Sequence, residues 1–324
     1  MNSNTTLRWI PDGEAISCHR CQQLFDWTYR KHHCRRCGHV FCGSCTKQSL
    51  IRKEHILSNP EKQYLSINPH NPQRVCYQCY HFMQPEQDAL RKTTSNASRE
   101  NLLPEGGNRA LFNSPFSFTM RDEIRKASYS IQAIKNQDAI KDQCIPLPLL
   151  RNAKGLVFMT VLKAGMIFSA RLGTGLVIAK LPDGIWSAPS AIGTAGLGWG
   201  AQIGAELTDV IIILNTSQAV EAFSSSTQVN LGAELGVATG FVGRVTSGSL
   251  GTSVDGTAPC YSYSHSRGLF AGISLEGAVI ISRPDINHTF YGREVTNTQL
   301  LTGLEFPPNA ATPLYDALQT IVSG

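Results

Sequence analysis

One stretch decides the fold of the first part of the chain, and it reads Arg30-Lys31-His32-His33-Cys34-Arg35-Arg36-Cys37-Gly38. Its two cysteines form a Cys-x-x-Cys pair, a spacing that holds zinc in many small domains. Its arginines and its lysine suit a phosphate group, because they offer several charge-assisted hydrogen bonds. The stretch therefore predicts an anion site built on a zinc finger. The alternative is a basic surface loop beside a structural zinc.

Eight of the ten cysteines form four such pairs, which are Cys18/Cys21, Cys34/Cys37, Cys42/Cys45 and Cys76/Cys79. Eight thiolates satisfy two tetrahedral Zn²⁺ ions, and these are the cofactors we predict. The short gap between the second and third pairs favours an interleaved arrangement. In it, one zinc has the ligands Cys18, Cys21, Cys42 and Cys45, and the other has Cys34, Cys37, Cys76 and Cys79. This spacing and the polar N-terminus favour a reducing, cytoplasmic compartment over a secreted disulfide scaffold.

The charge of the chain is concentrated near these cysteines. Residues 1–90 hold 11 Lys and Arg against 7 Asp and Glu, whereas the formal net charge of all 324 residues is only +5. We therefore expect no nucleic-acid partner, because bulk polyanion binders are more strongly basic. The long uncharged run Ile185–Ala205 is rich in Gly, Ala, Ser and Thr, and it is too weakly apolar to predict a transmembrane helix. Any membrane contact is expected to be peripheral.

The cysteine-rich stretch resembles the FYVE zinc finger, a family that recognises phosphatidylinositol 3-phosphate. Three motifs carry the resemblance: Trp9-Ile10-Pro11-Asp12, Arg30-Lys31-His32-His33-Cys34-Arg35 and Arg74-Val75-Cys76. The resemblance implies that the lipid headgroup is contacted by Asp12, Arg30, Lys31, His32, His33, Arg35 and Arg74. It also implies that Trp27 and Thr28 form a membrane-inserting loop. A RING finger of a ubiquitin ligase is the rival, but the basic run has no role there.

One departure from the FYVE pattern is the long gap between Cys45 and Cys76. This gap holds the residues Thr46–Val75 and contains Asn59-Pro60 and Pro69-His70-Asn71-Pro72. Asn-Pro and neighbouring prolines are typical of turns. We predict a surface loop over residues 51–73.

The second half of the chain is rich in glycine and β-branched residues and predicts a mainly-β domain with few helices. A helix is expected over Arg121–Gln143, because Ile124, Ala127, Ile131 and Ile134 recur at helical spacing. Its apolar face could pack on its own domain or lie on an anionic membrane, and the pattern leaves both open. Strands are expected at residues 155–162, 176–180, 185–187 and 210–214. A further hairpin is expected to turn at Ser266-Arg267-Gly268. Two short helices are predicted, one over Ser217–Phe223 and one over Pro313–Val322.

Residues 122–303 resemble a SYLF domain. The motifs include Asn152-Ala153-Lys154-Gly155-Leu156, Leu181-Pro182-Asp183-Gly184-Ile185-Trp186-Ser187 and Gly268-Leu269-Phe270-Ala271-Gly272. The resemblance implies phosphoinositide binding through the N-terminal amphipathic helix, and in some members actin binding. A second lipid contact is therefore predicted at Arg125, Lys126, Lys135, Lys141 and Lys154.

The fold class that we predict is a small α+β two-zinc FYVE finger followed by a mainly-β (α+β) SYLF domain with an antiparallel curved sheet or barrel. The expected boundaries are 1–84 for the finger, 85–120 for a flexible linker, 121–305 for the SYLF domain and 306–324 for a helical tail. No catalytic or nucleotide-binding motif is found, so we expect a non-enzymatic adaptor on early endosomes or related membranes. Its expected partners are phosphatidylinositol 3-phosphate membranes, other phosphoinositides and actin. An actin-organising protein that the finger merely positions is the rival.

Overall fold

A computed structural model describes residues 8–60, 67–103, 113–135, 147–225, 228–253 and 256–323. The chain divides into two compact units. The first comprises Met1–Arg99 with His288–Glu294, and the second comprises Glu100–Asn287 with Val295–Gly324.

The first unit is built from short elements around the cysteines. Its strands are β1 (His32–His33), β2 (Val40–Phe41), β3 (Thr46–Ser49) and β4 (Gln73–Cys76), and its helices are α1 (Tyr77–Met83) and α2 (Gln87–Thr94). β1 pairs antiparallel with β2, and β3 pairs antiparallel with β4. The fully apolar buried side chains that pack around the cysteines are few: Phe41, Ile51, Val75 and Met83. A core this small leaves much of the folding free energy to the metal sites.

The gap between Cys45 and Cys76 is more ordered at its start than the predicted surface loop. Leu50 and Ile51 are buried, because both are apolar and β3 leads them into the core. The Gln87 side chain satisfies both backbone groups of Leu50: its Oε1 accepts from the Leu50 N–H at 3.3 Å, and its Nε2 donates to the Leu50 carbonyl at 3.1 Å. The surface-loop prediction is therefore wrong for Ile51. Residues 61–66 of this gap lie outside the described residues.

The segment predicted as a flexible linker begins with an ordered part. Residues 87–94 form α2, with Leu90 buried on one face. Beyond this helix, Asn96 Nδ2 donates to the His70 carbonyl at 3.1 Å and to Asn71 Oδ1 at 2.9 Å. These bonds join the end of α2 to the second half of the long gap. The linker remains a prediction for residues 104–112, which lie outside the described part of the chain.

The remaining elements are four very long strands and six helices in the described residues. The helices are α3 (Met120–Lys135), α4 (Leu147–Asn152), α5 (Ser217–Ser225), α6 (Pro284–Tyr291), α7 (Asn297–Leu301) and α8 (Thr312–Ser323). The strands are β5 (Gly155–Ala179), β6 (Ser190–Leu214), β7 (Gln228–Ser253) and β8 (Gly256–Ser282). They form one antiparallel sheet in the order β5-β6-β8-β7. Of the two predicted alternatives, the described residues form the sheet, with β5 and β7 as its edges.

The turn between β5 and β6 is the one that the sequence predicts. The Leu181 N–H donates to the Ile185 carbonyl at 2.8 Å, and the Gly184 N–H donates to the Leu181 carbonyl at 2.9 Å. Gly184 has a φ of +87°, a conformation that favours glycine. By contrast, the turn predicted at residues 266–268 is wrong. Arg267 pairs with Leu207 of β6, and Gly268 pairs with Glu206, so β8 continues through this point.

β5 bends back on itself, so that its two halves lie face to face. A Cβ on Gly175 would collide with the Phe158 carbonyl oxygen, and a Cβ on Gly173 would collide with the Thr160 carbonyl oxygen. A Cβ on Gly165 would likewise collide with the Phe168 carbonyl oxygen. These glycines let two stretches of backbone approach more closely than any side chain allows. The sheet is therefore folded over near residues 165–168.

The core of the second unit lies on the halves of the strands away from this bend. Residues 155–161 are all buried, as the apolar run predicts. Val157, Met159 and Val161 among them share one core cluster with Val177, Ile192, Ile212 and Phe223. α3 packs against β5 and α8. Its residues Ile124, Ala127 and Ile131 are buried, so the described part of its apolar face is covered by its own domain. Leu314, Leu318 and Ile321 of α8 are buried too. No described helix combines the length and the hydropathy that crossing a bilayer requires.

Candidate lipid-binding finger

The eight paired cysteines converge on two sites. The sulfur atoms of Cys18, Cys21, Cys42 and Cys45 lie within 4.8 Å of one another, and so do those of Cys34, Cys37, Cys76 and Cys79. This confirms the interleaved pairing. Four sulfur donors at such distances fit a tetrahedral zinc ion, which takes Zn–S bonds of about 2.3 Å. The finger therefore has two zinc sites, and its small apolar core is packed around their ligands.

The four thiols of the second site interact with one another. Their hydrogen bonds lower the pKa of Cys34 far below its usual value and raise the pKa values of Cys37 and Cys79. Cys76 also begins α1, where its Sγ accepts from the Cys79 N–H at 3.5 Å. The thiolate is the form that binds a metal, and a zinc ion bound here would bring all four thiols to that form.

The basic run is held in place by this second zinc site and by a tight turn. Cys34 and Gly38 bracket the turn, and the Gly38 N–H donates to the Cys34 carbonyl at 2.9 Å. Gly38 has a φ of +78°, and a Cβ there would collide with the Arg8 carbonyl oxygen. The Gly38 carbonyl in turn accepts from the Ile10 N–H at 3.1 Å. The glycine thus brings the Trp9-Ile10-Pro11-Asp12 segment alongside the basic run.

Trp9 and Asp12 each contact residues of the basic run. The Trp9 indole stacks on the His33 imidazole with ring centroids 4.0 Å apart and planes inclined by 8°. The Arg35 guanidinium lies 4.9 Å from the centroid of the same indole. His33 Nε2 donates to the Ile10 carbonyl at 2.7 Å, which leaves Nδ1 3.9 Å from Asp12 Oδ1. Lys31 Nζ donates to the Asp12 carbonyl at 2.7 Å.

The third motif joins the same cluster through backbone pairing. The Arg35 N–H donates to the Arg74 carbonyl at 2.9 Å, so the two arginines stand on adjoining backbones. Arg74 Nη1 also donates to Thr46 Oγ1 at 2.8 Å, across the β3–β4 pair. This bond fixes the direction of the Arg74 side chain before any ligand arrives.

Electrostatic interactions show which cations are close together. Burial lowers the pKa of His32, and the positive charges of Arg74 and Arg30 lower it further. Like charges repel, so a cluster of this kind is stabilised when an anion binds within it. Arg30 itself is exposed at the edge of the cluster. The structure therefore brings together Asp12, Arg30, Lys31, His32, His33, Arg35 and Arg74, the residues that the sequence assigns to the headgroup.

The predicted insertion loop protrudes from the finger. Trp27 is 88% exposed, the highest value of any large apolar side chain in the described residues. Asp26 Oδ1 shapes the loop by accepting from the Thr28 N–H at 2.7 Å and from the Tyr29 N–H at 2.6 Å. Leu24 and Ile16 nearby are also exposed, although the sequence does not predict it. A single apolar residue in a small domain is equally consistent with a core position.

Arg36 has a different role from its neighbours in the basic run. Its guanidinium lies 4.1 Å from the centroid of the Phe82 ring. Its Nη1 also donates to Cys79 Sγ at 4.0 Å. A donor on a zinc-ligating thiolate supports the ligand rather than a lipid headgroup.

The residues predicted as a second lipid contact differ in their exposure and in their ion-pair partners. Lys126 is only 8% exposed. Its ammonium lies 2.8 Å from Glu123 Oε2 and also donates to the Ser114 carbonyl at 3.0 Å and to Thr174 Oγ1 at 3.1 Å. Lys126 is thus a buried ion-pair residue, and its assignment to a lipid surface is wrong. Arg125 is partly exposed and pairs with Asp122 at 3.3 Å. Lys154 is exposed, the Lys135 side chain is not described, and Lys141 lies outside the described residues.

The geometry defines the first unit as an interleaved two-zinc finger with a cationic cluster on one side. Comparison with known families agrees. Residues 8–85 match the family model described as the FYVE zinc finger, and residues 195–321 match the one described as Ysc84, Las17-binding protein actin regulator. The two matches agree with the predicted architecture of a FYVE zinc finger followed by a SYLF domain.

The chain is similar to proteins of two yeasts. The chain is 47% identical over 208 residues to an SH3 domain-containing protein of Schizosaccharomyces pombe, a match that covers 64% of this chain and 48% of that protein. It is 43% identical over 210 residues to LAS seventeen-binding protein 3 of Saccharomyces cerevisiae, covering 64% of this chain and 46% of the relative. The chain thus spans about half the length of these relatives. The solution structure of the LM5-1 FYVE domain from Leishmania major is 31% identical and covers 26% of this chain and 88% of that domain, with a TM-score of 0.19.

Proposed function

We propose that the chain is a non-enzymatic peripheral membrane adaptor whose finger binds phosphatidylinositol 3-phosphate on endosomal membranes. The observation that carries the proposal is the cationic cluster, in which the backbones of Arg35 and Arg74 are hydrogen-bonded and Lys31 and His33 lie beside Asp12. A phosphate monoester offers several acceptor oxygens and a charge near −2, which such a cluster can neutralise. Asp12, opposite His33, would accept from the hydroxyl groups of an inositol ring.

The exposed Trp27 supports a membrane over a soluble inositol phosphate. An indole places an apolar body and one N–H donor at the depth of lipid headgroups, and it has no such use in water. The finger would then combine a specific headgroup contact with a shallow apolar insertion. The two contacts act on one membrane, so each can be weak.

Vesicle flotation of the full chain tests this proposal. We expect binding to vesicles with phosphatidylinositol 3-phosphate to exceed binding to vesicles with phosphatidylinositol 4-phosphate or 4,5-bisphosphate. Arg30→Ala should abolish the preference. Lys53→Ala is the matched control, because it removes an exposed cation from the same unit outside the cluster. Equal binding of the Arg30→Ala variant and the wild type would refute the headgroup assignment.

An actin role is the second candidate, and the family description of residues 195–321 favours it. In this version the finger positions the chain, and the second domain contacts actin filaments. Pelleting of the full chain with filamentous actin, with and without vesicles, separates the two candidates. Pelleting that needs no lipid and survives Arg30→Ala supports the actin role. No pelleting under either condition removes it.

A further inference from the structure

Large apolar side chains are exposed where the sheet of the second unit folds over. Six of them lie on β5 and β6, and each is between 54% and 78% exposed: Met166, Ile167, Phe168, Leu197, Trp199 and Ile203. We call residues 164–170 of β5 and 195–205 of β6 the sheet bend. Single exposed apolar residues are ordinary on protein surfaces, but a contiguous group of this size marks an interaction site.

Strand pairing places these residues next to one another. Phe168 pairs with Trp199, and Met166 pairs with Ile203, with a bulge in the register between Met166 and Phe168. Ile167 occupies this bulge with a φ of +65°. A β-branched residue in this conformation is strained, and such strain is concentrated at functional positions. The bulge presents three consecutive apolar side chains in place of the usual alternation.

The lack of charge extends across all four strands. Through the backbone register, Ala201 of β6 pairs with Ile273 of β8, which pairs with Val237 of β7. None of the segments around this row contains a charged residue, namely 164–170, 193–205, 235–243 and 268–275. Charges resume directly on either side, for example at Lys163 and Arg171 of β5.

We propose that the sheet bend inserts into the lipid bilayer as a second apolar anchor of the chain. Protein-binding surfaces usually surround an apolar centre with charged or polar groups that select the partner. Here an uncharged band spans four strands and ends in Trp, Phe and Met side chains, which suits hydrocarbon and the headgroup boundary. The inference rests on the proposed function only in assuming that the finger brings the chain to a membrane.

Substitution at the bend tests the proposal with full-length protein. Phe168→Ser should lower the partition coefficient onto phosphatidylcholine–phosphatidylserine vesicles by roughly tenfold, as expected for exposing one aromatic side chain. Phe306→Ser is the matched control, since it makes the same change at a position that is 86% exposed elsewhere in this unit. Unchanged thermal unfolding of both variants establishes that they are folded.

The lipid composition separates this proposal from the function of the finger. Phe168→Ser should weaken binding with and without phosphatidylinositol 3-phosphate, whereas Arg30→Ala should remove only the increment due to that lipid. If phosphatidylinositol 3-phosphate increases the vesicle binding of no variant, the proposed headgroup site of the finger is wrong. The effect of Phe168→Ser on vesicle binding still tests insertion of the sheet bend in that case. Brominated phosphatidylcholine should quench part of the wild-type tryptophan fluorescence, and that part should be missing in Trp199→Phe.

Two results would overturn the proposal. One is equal vesicle binding of Phe168→Ser and Phe306→Ser together with equal quenching of the wild type and Trp199→Phe. The other is self-association of the wild type, measured by sedimentation equilibrium, that Phe168→Ser abolishes without any change in vesicle binding. The second result would assign the bend to a second copy of the chain.

Discussion

The Trp9 indole stacks on the His33 imidazole with ring centroids 4.0 Å apart, and the Arg35 guanidinium lies 4.9 Å from the centroid of the same indole. One aromatic side chain thus orients two of the residues that the sequence assigns to the headgroup. Cation–π and stacking contacts of this kind contribute on the order of 1 kcal/mol each. Trp9 is a positioning residue, because it acts through its neighbours.

Replacing Trp9 tests this relationship. Trp9→Ala should weaken binding to phosphatidylinositol 3-phosphate vesicles by about tenfold, whereas Trp9→Phe should retain most of the affinity because a stacked ring remains. Equilibrium vesicle binding is the measurement, and an unchanged content of two zinc ions per chain is the control. Equal losses in both variants would show that Trp9 stabilises the finger without orienting His33 and Arg35.

Arg36 should govern how firmly the second zinc is held. Its donation to Cys79 Sγ stabilises a thiolate ligand, and loss of such a partner typically costs about 10- to 100-fold in metal affinity. In Arg36→Ala we expect one of the two zinc ions to transfer faster to a chromophoric chelator, while the other leaves at the wild-type rate. Lys53→Ala serves as the control. Acceleration of both ions together would point to general destabilisation instead.

Gly175 should be intolerant of any side chain. A Cβ there collides with backbone, which cannot move aside as the end of a side chain can. Gly175→Ala should lower the free energy of unfolding of the second unit by about 1–3 kcal/mol or more, the usual cost of overpacking. Gly193→Ala is the matched control in the neighbouring strand, where the nearest atom to a new Cβ is Arg283 Cδ at 3.5 Å. Urea unfolding followed by circular dichroism compares the two, and equal midpoints would contradict the fold-over of β5.

The pH dependence of stability should depend on His288. Burial lowers the pKa of His288 below its usual 6.5, although Glu294 opposes this shift. The neutral imidazole is thus favoured in the folded protein. Its contribution to the free energy of unfolding is fully present above pH 6.5. It is lost as the pH falls through the lowered pKa, because the unfolded chain takes up the proton more readily. We expect His288→Gln to lose less stability than the wild type between pH 7.5 and 5.5. Thermal unfolding at constant zinc content measures this, and parallel curves would exclude the residue.

Local sequence predicted the finger well because its geometry is set by ligands. Cys-x-x-Cys pairs can close on a metal in few ways, and the short step from Cys37 to Cys42 favours the interleaved arrangement over independent knuckles. The backbone that the metal sites hold in place then brings the motif residues Trp9 and Arg74 into one cluster. What the sequence did not reveal is the role of Arg36, since nothing in a basic run distinguishes an arginine that faces a thiolate from one that faces solvent.

Prediction of the second unit failed where distant pairing overrides local preference. Ser266-Arg267-Gly268 has turn-forming residues, yet hydrogen bonds to β6 and β7 on both sides keep the strand extended. The prediction for Lys126 failed for the same reason. Helical periodicity places it beside the apolar face of α3, but its burial depends on acceptors from Ser114 and Thr174, which only the tertiary fold brings near.

The strand order β5-β6-β8-β7 has a consequence for how the sheet assembles. Ten residues separate β5 from β6 and two separate β7 from β8, so each pair can begin to form from contacts close in sequence. Pairing of β6 with β8 joins the two hairpins and brings together segments that are far apart in sequence. We therefore expect this pairing to be the slow step in the folding of the sheet. On the ribosome the first hairpin can form before β7 has been synthesised. Until the second hairpin docks, β6 keeps an open edge, and this half-finished sheet is the species most exposed to aggregation.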